Sequence, residues 1–124
     1  MKRREFEAAV VCPRYHRAVE LIGRRWTGAI LMVLLQGTSR FTDIVQAVPG
    51  LSDRLLSERL KELEAEGIVQ RVVHAETPVR IEYHLTEMGR DLSNVTEAVS
   101  CWAERWLATE THCEEPAELV LSSR

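Results

Sequence analysis

The stretch from Leu51 to Leu85, a helical pattern running straight into two alternating strands, constrains this chain more than any other. Pro49-Gly50-Leu51-Ser52 reads as a turn followed by a cap, with Ser52 as the capping residue. From there to Glu66, Leu55, Leu56, Leu60 and Leu63 recur at helical spacing on one face, while Arg54, Ser57, Glu58 and Lys61 fall roughly opposite. Gly67 suits the position just past a helix end. Two strand-like runs follow, Ile68 to His74 and Val79 to Leu85, joined by Ala75-Glu76-Thr77-Pro78. In the second, Val79, Ile81, Tyr83 and Leu85 alternate with Arg80, Glu82 and His84, the period of two that a half-buried strand requires. A helix followed directly by a hairpin, polar on the outer face of both, can lay the helix in a DNA groove with the hairpin beside the backbone.

The 124 residues suffice for one domain with its own core. Hydrophobic residues at 45% and charged ones at 28% describe an ordinary globular balance. No apolar run reaches membrane-spanning length, and the basic start Met1-Lys2-Arg3-Arg4 lacks the apolar segment of a signal peptide, so a cytoplasmic protein with no membrane partner is expected. Three cysteines, Cys12, Cys101 and Cys113, are too few and too odd in number for a disulfide framework. The net charge of −3 speaks weakly against nucleic acid, but it is unevenly spread. Residues 1–83 carry 13 basic and 11 acidic side chains, residues 84–124 only 3 basic and 8 acidic. A DNA surface therefore belongs to the front of the chain, and only if its cations gather on one side.

Upstream, Phe6, Val10 and Val11 suggest a short helix within residues 1–11. Cys12-Pro13 opens a helix over Pro13–Ile22, with Pro at the first helical position and Ala18, Val19 and Ile22 on its apolar side. A second helix, Thr27 to Leu35, is apolar nearly all round and must be buried on several sides. A third, from Ser39 or Arg40 to Val48, turns Phe41, Ile44, Val45 and Val48 inward. Beyond the hairpin, Thr86 is a suitable N-cap for a long last helix. Met88, Leu92, Val95, Val99, Trp102 and Trp106 follow a 4-3-4-3-4 spacing along it. Such a heptad-like seam would leave an apolar stripe bare on a lone chain, and a second copy is the simplest cover. Residues 108–124 are acidic and without clear periodicity, and read as a loose tail with a short helix at 117–121.

Five segments in this order resemble the HxlR-type family of bacterial winged-helix transcription regulators, within the MarR-like superfamily. They are Cys12-Pro13, Glu20-Leu21-Ile22-Gly23-Arg24-Arg25-Trp26-Thr27, Gly37-Thr38-Ser39-Arg40-Phe41, Leu60-Lys61-Glu62-Leu63-Glu64-Ala65-Glu66-Gly67-Ile68-Val69 and Val79-Arg80-Ile81-Glu82-Tyr83-His84-Leu85-Thr86-Glu87-Met88-Gly89. The ordered set, spanning residues 12–106, carries the resemblance. It implies an α+β, mostly α fold: a winged helix-turn-helix with N-terminal and C-terminal dimerisation helices. The helix-turn-helix falls at about 40–66, the wing at about 68–85 and the dimerisation helix at about 86–107. It also implies a homodimer on operator DNA and, in some members, control through a cysteine where Cys12 stands. The chain departs from the family where Gly28 and Ala29 replace bulky residues after Trp26-Thr27, and where Asp53 and Glu58 stand in place of amides.

Double-stranded DNA is thus the expected partner, met by Arg40, Ser52, Asp53, Arg54, Ser57, Glu58, Lys61 and Arg80. Arginine can read guanine and glutamate can accept from cytosine, while Arg40 and Arg25, beside helix starts, suit phosphates. The plain alternative for these residues is a solvated surface, and for the whole chain a winged-helix module that binds protein. Arg59, near the apolar edge, is read as a structural ion pair or a phosphate contact. Met88, Leu92, Val95, Val99, Trp102 and Trp106 are the expected dimer contacts, and Cys101 a small packed residue beside them. Cys12, at a helix start with Arg14, His16 and Arg17 nearby, is either a redox-active thiolate or an inert cap. Trp26 is expected in the core, with room beside Gly28 for a small-molecule effector. Cys12 and His16 with His112-Cys113 are spaced too far apart to read as a zinc site, and no third group orients a cysteine–histidine pair, so neither metal, cofactor nor enzyme activity is expected.

Overall fold

The computed structural model describes residues 12–107. The expected helix within 1–11, the tail, His112 and Cys113 lie outside them. Helix α1 (Pro13–Ile22) starts at its proline, whose missing N–H is no loss in a first turn. Helix α2 (Thr27–Leu35) follows a sharp entry at Trp26, whose backbone is left-handed at φ 77°. Helices α3 (Phe41–Ala47) and α4 (Asp53–Ala65) form the helix-turn-helix, and strands β1 (Val69–His74) and β2 (Arg80–Leu85) the wing. Helices α5 (Glu87–Arg90) and α6 (Leu92–Trp106) complete the described chain.

The core is set by α2, which the other elements surround. Ile30 and Leu31 are wholly enclosed, joined by Ile44 of α3, by Leu56, Leu60 and Leu63 of α4, and by Ile68, Val69 and Leu85 at the base of the wing. Each such leucine or isoleucine contributes roughly 1.5–3 kcal/mol on burial. Trp26, Phe41, Val45, Leu55, Tyr83 and Leu92 pack against the margin. Trp26 is therefore only partly in the core: its ring covers Gly50, where a Cβ would come within 3.3 Å of the indole. Gly50 also has φ +89°, so the turn between α3 and α4 needs glycine for both backbone and space.

The wing is an antiparallel pair in which Val69 opposes Leu85, Arg71 opposes Tyr83 and Val73 opposes Ile81. These six share one face, buried at its base. The other carries Val72, His74, Arg80, Glu82 and His84. Val79, expected inward, lies before β2 and is exposed, because the strand begins one residue later.

Helix α3 has Arg40, one of the two expected starts, as its N-cap: the Arg40 carbonyl accepts from Ile44 N–H at 2.9 Å, while Tyr83 N–H donates to the Ser39 carbonyl at 2.8 Å and Arg40 bridges to Glu82. One further expectation is corrected. The last long helix is divided at Asp91. Thr86 caps α5 by accepting from Gly89 N–H at 3.1 Å while its hydroxyl donates to the Gly67 carbonyl at 2.6 Å. Arg90 donates to the Leu85 carbonyl at 2.8 Å. These bonds tie α5 to the wing base, whereas α6 runs along α2, so the chain changes direction between its two packing partners.

Among the described residues, nothing covers the apolar sides of α1 and α6. Tyr15 and Val19 of α1, Met88 of α5, and Val95, Val99, Trp102 and Trp106 of α6 are all exposed, with Trp106 at 65%. Leu92 is half-buried. Cys101, expected beside a packed seam, is exposed because none of the described residues covers that side of α6. No described helix is long and apolar enough to cross a membrane.

Candidate nucleic-acid interface

Helix α4 presents its polar side away from the core. Ser52 caps it, accepting from Leu55 N–H at 3.1 Å, and Asp53 occupies the first turn, where a carboxylate suits the positive helix end. Asp53, Arg54, Glu58 and Lys61 are exposed and Ser57 is half-buried, all on the outer side expected for them. Arg54 and Glu58, one turn apart, pair at 3.4 Å. That pair is surface-bound and weak, so either side chain can leave it for a base edge.

Arg59 is withdrawn from any such surface. Its side chain is 9% exposed, donates through Nε to the Arg25 carbonyl at 2.9 Å, and meets Glu62 at 3.4 Å and Glu58 at 3.8 Å. Of the two readings for this arginine, the structural one holds: it ties α4 to the loop before α2. Arg25 itself stacks over Trp26 at 5.0 Å.

Arg80 sits at the start of β2 inside a charged cluster on the outer wing face. Glu76 lies at 3.1 Å and Glu82 at 3.2 Å. The approach to Glu82 is an ion pair without hydrogen-bond alignment, which leaves the buried Nε of Arg80 with no hydrogen bond. Glu82 also meets His84 at 2.8 Å and His74 at 3.1 Å. Hydrogen bonding from His84, then His74, with the charge of Arg80 added, holds the Glu82 carboxyl below its usual range. Arg80 is thus restrained in the wing rather than extended from its tip. Arg40, the backbone partner of Glu82, is exposed.

Between α4 and the wing runs a cleft of about 430 Å³ lined by Ser57, Leu60, Lys61, Glu64, Arg71 and Tyr83. Arg71 and Tyr83 were not among the expected contacts. The signal for Arg71 is in the sequence: an arginine between Val69 and Val73, on the alternation that is otherwise apolar.

Cys12 occupies the N-cap position of α1 and is exposed. It closes no capping hydrogen bond of full geometry, yet the backbone N–H groups of Tyr15 and then Arg14, with the Arg14 side chain, hold its thiol below the ordinary value. The space beside Gly28 is open: a Cβ there would meet nothing within 4 Å. Among the described residues no group of three or more histidine, cysteine or acidic side chains is placed to hold a metal ion.

A helix-turn-helix packed on a buried α2, with a two-stranded wing following its second helix, defines a winged-helix DNA-binding transcriptional regulator. The model for the HxlR-like helix-turn-helix family matches residues 21–111, and the chain belongs to that family. It is 50% identical over 97 residues to the HTH-type transcriptional regulator YvaP of Bacillus subtilis, covering 78% of this chain and 90% of that one. It is 43% identical over 106 residues to the HTH-type transcriptional regulator YodB of the same organism, covering 85% and 95%. The reduced form of YodB superposes with a TM-score of 0.72 over 79% of this chain and 96% of that one. The redox regulator HypR in its oxidised form gives 0.72 at 34% identity, over 79% of this chain and all of the other.

Proposed function

We propose that this regulator works as a homodimer on a pseudo-palindromic operator, with α4 of each subunit in a major groove and the wing beside it, and that it represses. One observation carries the reading: the outer side of α4 is polar and exposed from Ser52 to Lys61 while its inner side is core, and the wing stands directly next to it. Arg40, Ser52, Asp53, Arg54, Ser57, Glu58 and Lys61 are the contacts, and Arg80 joins them by exchanging a carboxylate for a phosphate. The whole of 1–124 acts as one domain. The uncovered apolar sides of α1 and α6 supply the dimer surface, and two-fold symmetry of the protein is mirrored in the site.

Cys12 is the proposed point of control. It is exposed at a helix start, its thiol is acidified, and it lies on α1, which belongs to the uncovered surface. YodB has been solved reduced, diamide-treated and quinone-bound, and HypR reduced and oxidised. An adduct at Cys12 would alter how two copies meet and so the separation of the two α4 helices. The open space beside Gly28, next to Trp26, is a second place for a small effector.

Selection of bound fragments from random duplex DNA at a stated salt concentration tests the reading. The expected result is an inverted repeat whose affinity falls steeply with salt, by about 0.9 in log–log slope for each phosphate contacted. Recovery of no preferred sequence, with binding indifferent to salt, would favour a winged helix that binds protein instead.

A further inference from the structure

The cleft between α4 and the wing has cations on both walls, and among the described residues no carboxylate pairs with them. Arg17, Arg24, Arg54, Arg59 and Arg80 each pair with a glutamate. Lys61 and Arg71 have no such partner among the described residues, although Glu64 lines the same cleft. Lys61 is on the α4 wall and Arg71 on the wing wall; both are exposed. Two like charges lining one cleft repel, and an anion between them reverses that energy. Ser57 on the helix and Tyr83, directly opposite Arg71 in the β ladder, add a hydroxyl from each side. Leu60 forms an apolar floor.

We propose that this cleft clasps one strand of the operator's sugar–phosphate backbone, with a single phosphodiester held between Lys61 and Arg71. The proposal rests on α4 being the groove-entering helix. With α4 in the major groove and the wing over the neighbouring minor groove, the strand separating the two grooves has to pass between helix and wing, and this cleft is the passage there. The cleft therefore takes a phosphodiester for its charge and for its place, and it reads no base. Arg71 is the addition to the DNA-contacting set, and it is the wing's anchoring cation where Arg80 is restrained by Glu76 and Glu82. Glu64, one turn beyond Lys61, bounds the passage: its carboxylate keeps the strand at the Ser57–Lys61 end.

The test uses the full-length protein and its selected operator. Methylphosphonates replace phosphates one at a time along a half-site, and binding is followed by fluorescence anisotropy for native protein, Arg71→Gln, Arg71→Lys and Glu64→Gln. Arg71→Gln is expected to weaken binding about tenfold, equally on operator and random duplex, and to reduce the salt slope by about one. Arg71→Lys should keep the slope. Glu64→Gln should tighten binding to both duplexes. One methylphosphonate position per half-site should weaken the native protein more than Arg71→Gln, which keeps only the Lys61 contact to that phosphate. Native protein that binds the operator while Arg71→Gln matches it in affinity and slope would overturn the clasp and leave the groove assignment standing. So would independent, additive effects at every methylphosphonate position. A loss confined to the operator would make Arg71 a base-reading residue, again against the proposal. Failure of the native protein to bind any duplex would remove the reading beneath it as well. The methylphosphonate scan on native protein needs no variant to fold: tolerance of neutral substitution at every phosphate would be decisive by itself.

Discussion

The Arg59 guanidinium on α4 donates through Nε to the backbone carbonyl of Arg25 at 2.9 Å and so ties this helix to the loop before α2. Three interactions converge on it, so it fixes the angle at which α4 leaves the body of the protein. Arg59→Ala removes a charged hydrogen bond and the packing of the side-chain stem, and is expected to cost about 1–3 kcal/mol. Arg59→Lys should recover little, since an ammonium has no planar Nε to offer the carbonyl. Urea unfolding of the three proteins checks this; equal midpoints would mean the bond contributes nothing net.

Two glycines should respond oppositely to alanine. At Gly89 an added Cβ would run into the Ile68 backbone carbonyl and lie 2.9 Å from Leu85 Cδ2. Backbone cannot yield as a side chain does, so Gly89→Ala should destabilise by roughly 1–3 kcal/mol through displacement of α5 from the wing. At Gly28, in the first turn of α2, the Cβ meets open space. Gly28→Ala should be neutral or raise stability by up to about 0.8 kcal/mol. Thermal midpoints that rank the two the other way would contradict the packing described.

Acid should loosen the wing through Glu82. Its carboxyl is more acidic folded than unfolded, so its contribution is complete above the unfolded value of about 4.3 and is lost as pH falls through the lower folded value. Native protein should therefore lose thermal stability between pH 5 and 3, taken as approximate bounds, more steeply than Glu82→Gln. Parallel curves would show that the His74–Glu82–His84 arrangement does not couple to folding.

The stripe on α6 should govern assembly. A Val99→Asp, Trp102→Asp double change places charge in the middle of the uncovered surface, and is expected to yield monomers whose circular dichroism remains helical. Sedimentation at micromolar concentration checks it. A native protein that is itself monomeric there would end the dimer reading, and operator affinity unaffected by the change would separate assembly from binding.

Cys12 should alkylate before Cys101, and at lower pH than a model thiol of about 8.5, because its thiolate is favoured by the backbone N–H groups at the start of α1. Iodoacetamide labelling followed by mass spectrometry across pH resolves the two. Diamide should release the native protein from its operator and leave Cys12→Ser bound; equal sensitivity would remove Cys12 as the sensor.

Local chemistry is legible in the sequence. Pro13 marked the start of α1, and Ser52, Gly67 and Thr86 punctuated the helix, hairpin and helix that follow, because caps and turns are decided within a few residues. The all-round apolarity of α2, the apolar period of α4 and the alternation in β2 assigned the core, since apolar sides have to be buried. The order of these pieces sufficed for the family. Pairings over long distance were not legible. That Arg80 would be restrained by Glu76 and Glu82, that β2 would bridge to Arg40 at the cap of α3, and that the last helix would divide at Asp91 all depend on which surfaces meet in space. The same holds for the cleft. Arg71 lies ten residues after Lys61 in the chain, on a different kind of element, and only the packing of the hairpin against α4 brings their charges to one place. Sequence by itself determined which residues fold locally and which side of each element is apolar; tertiary structure decided which charges are satisfied and which are left for a ligand, because ion pairing is a property of position in space and not of position in the chain.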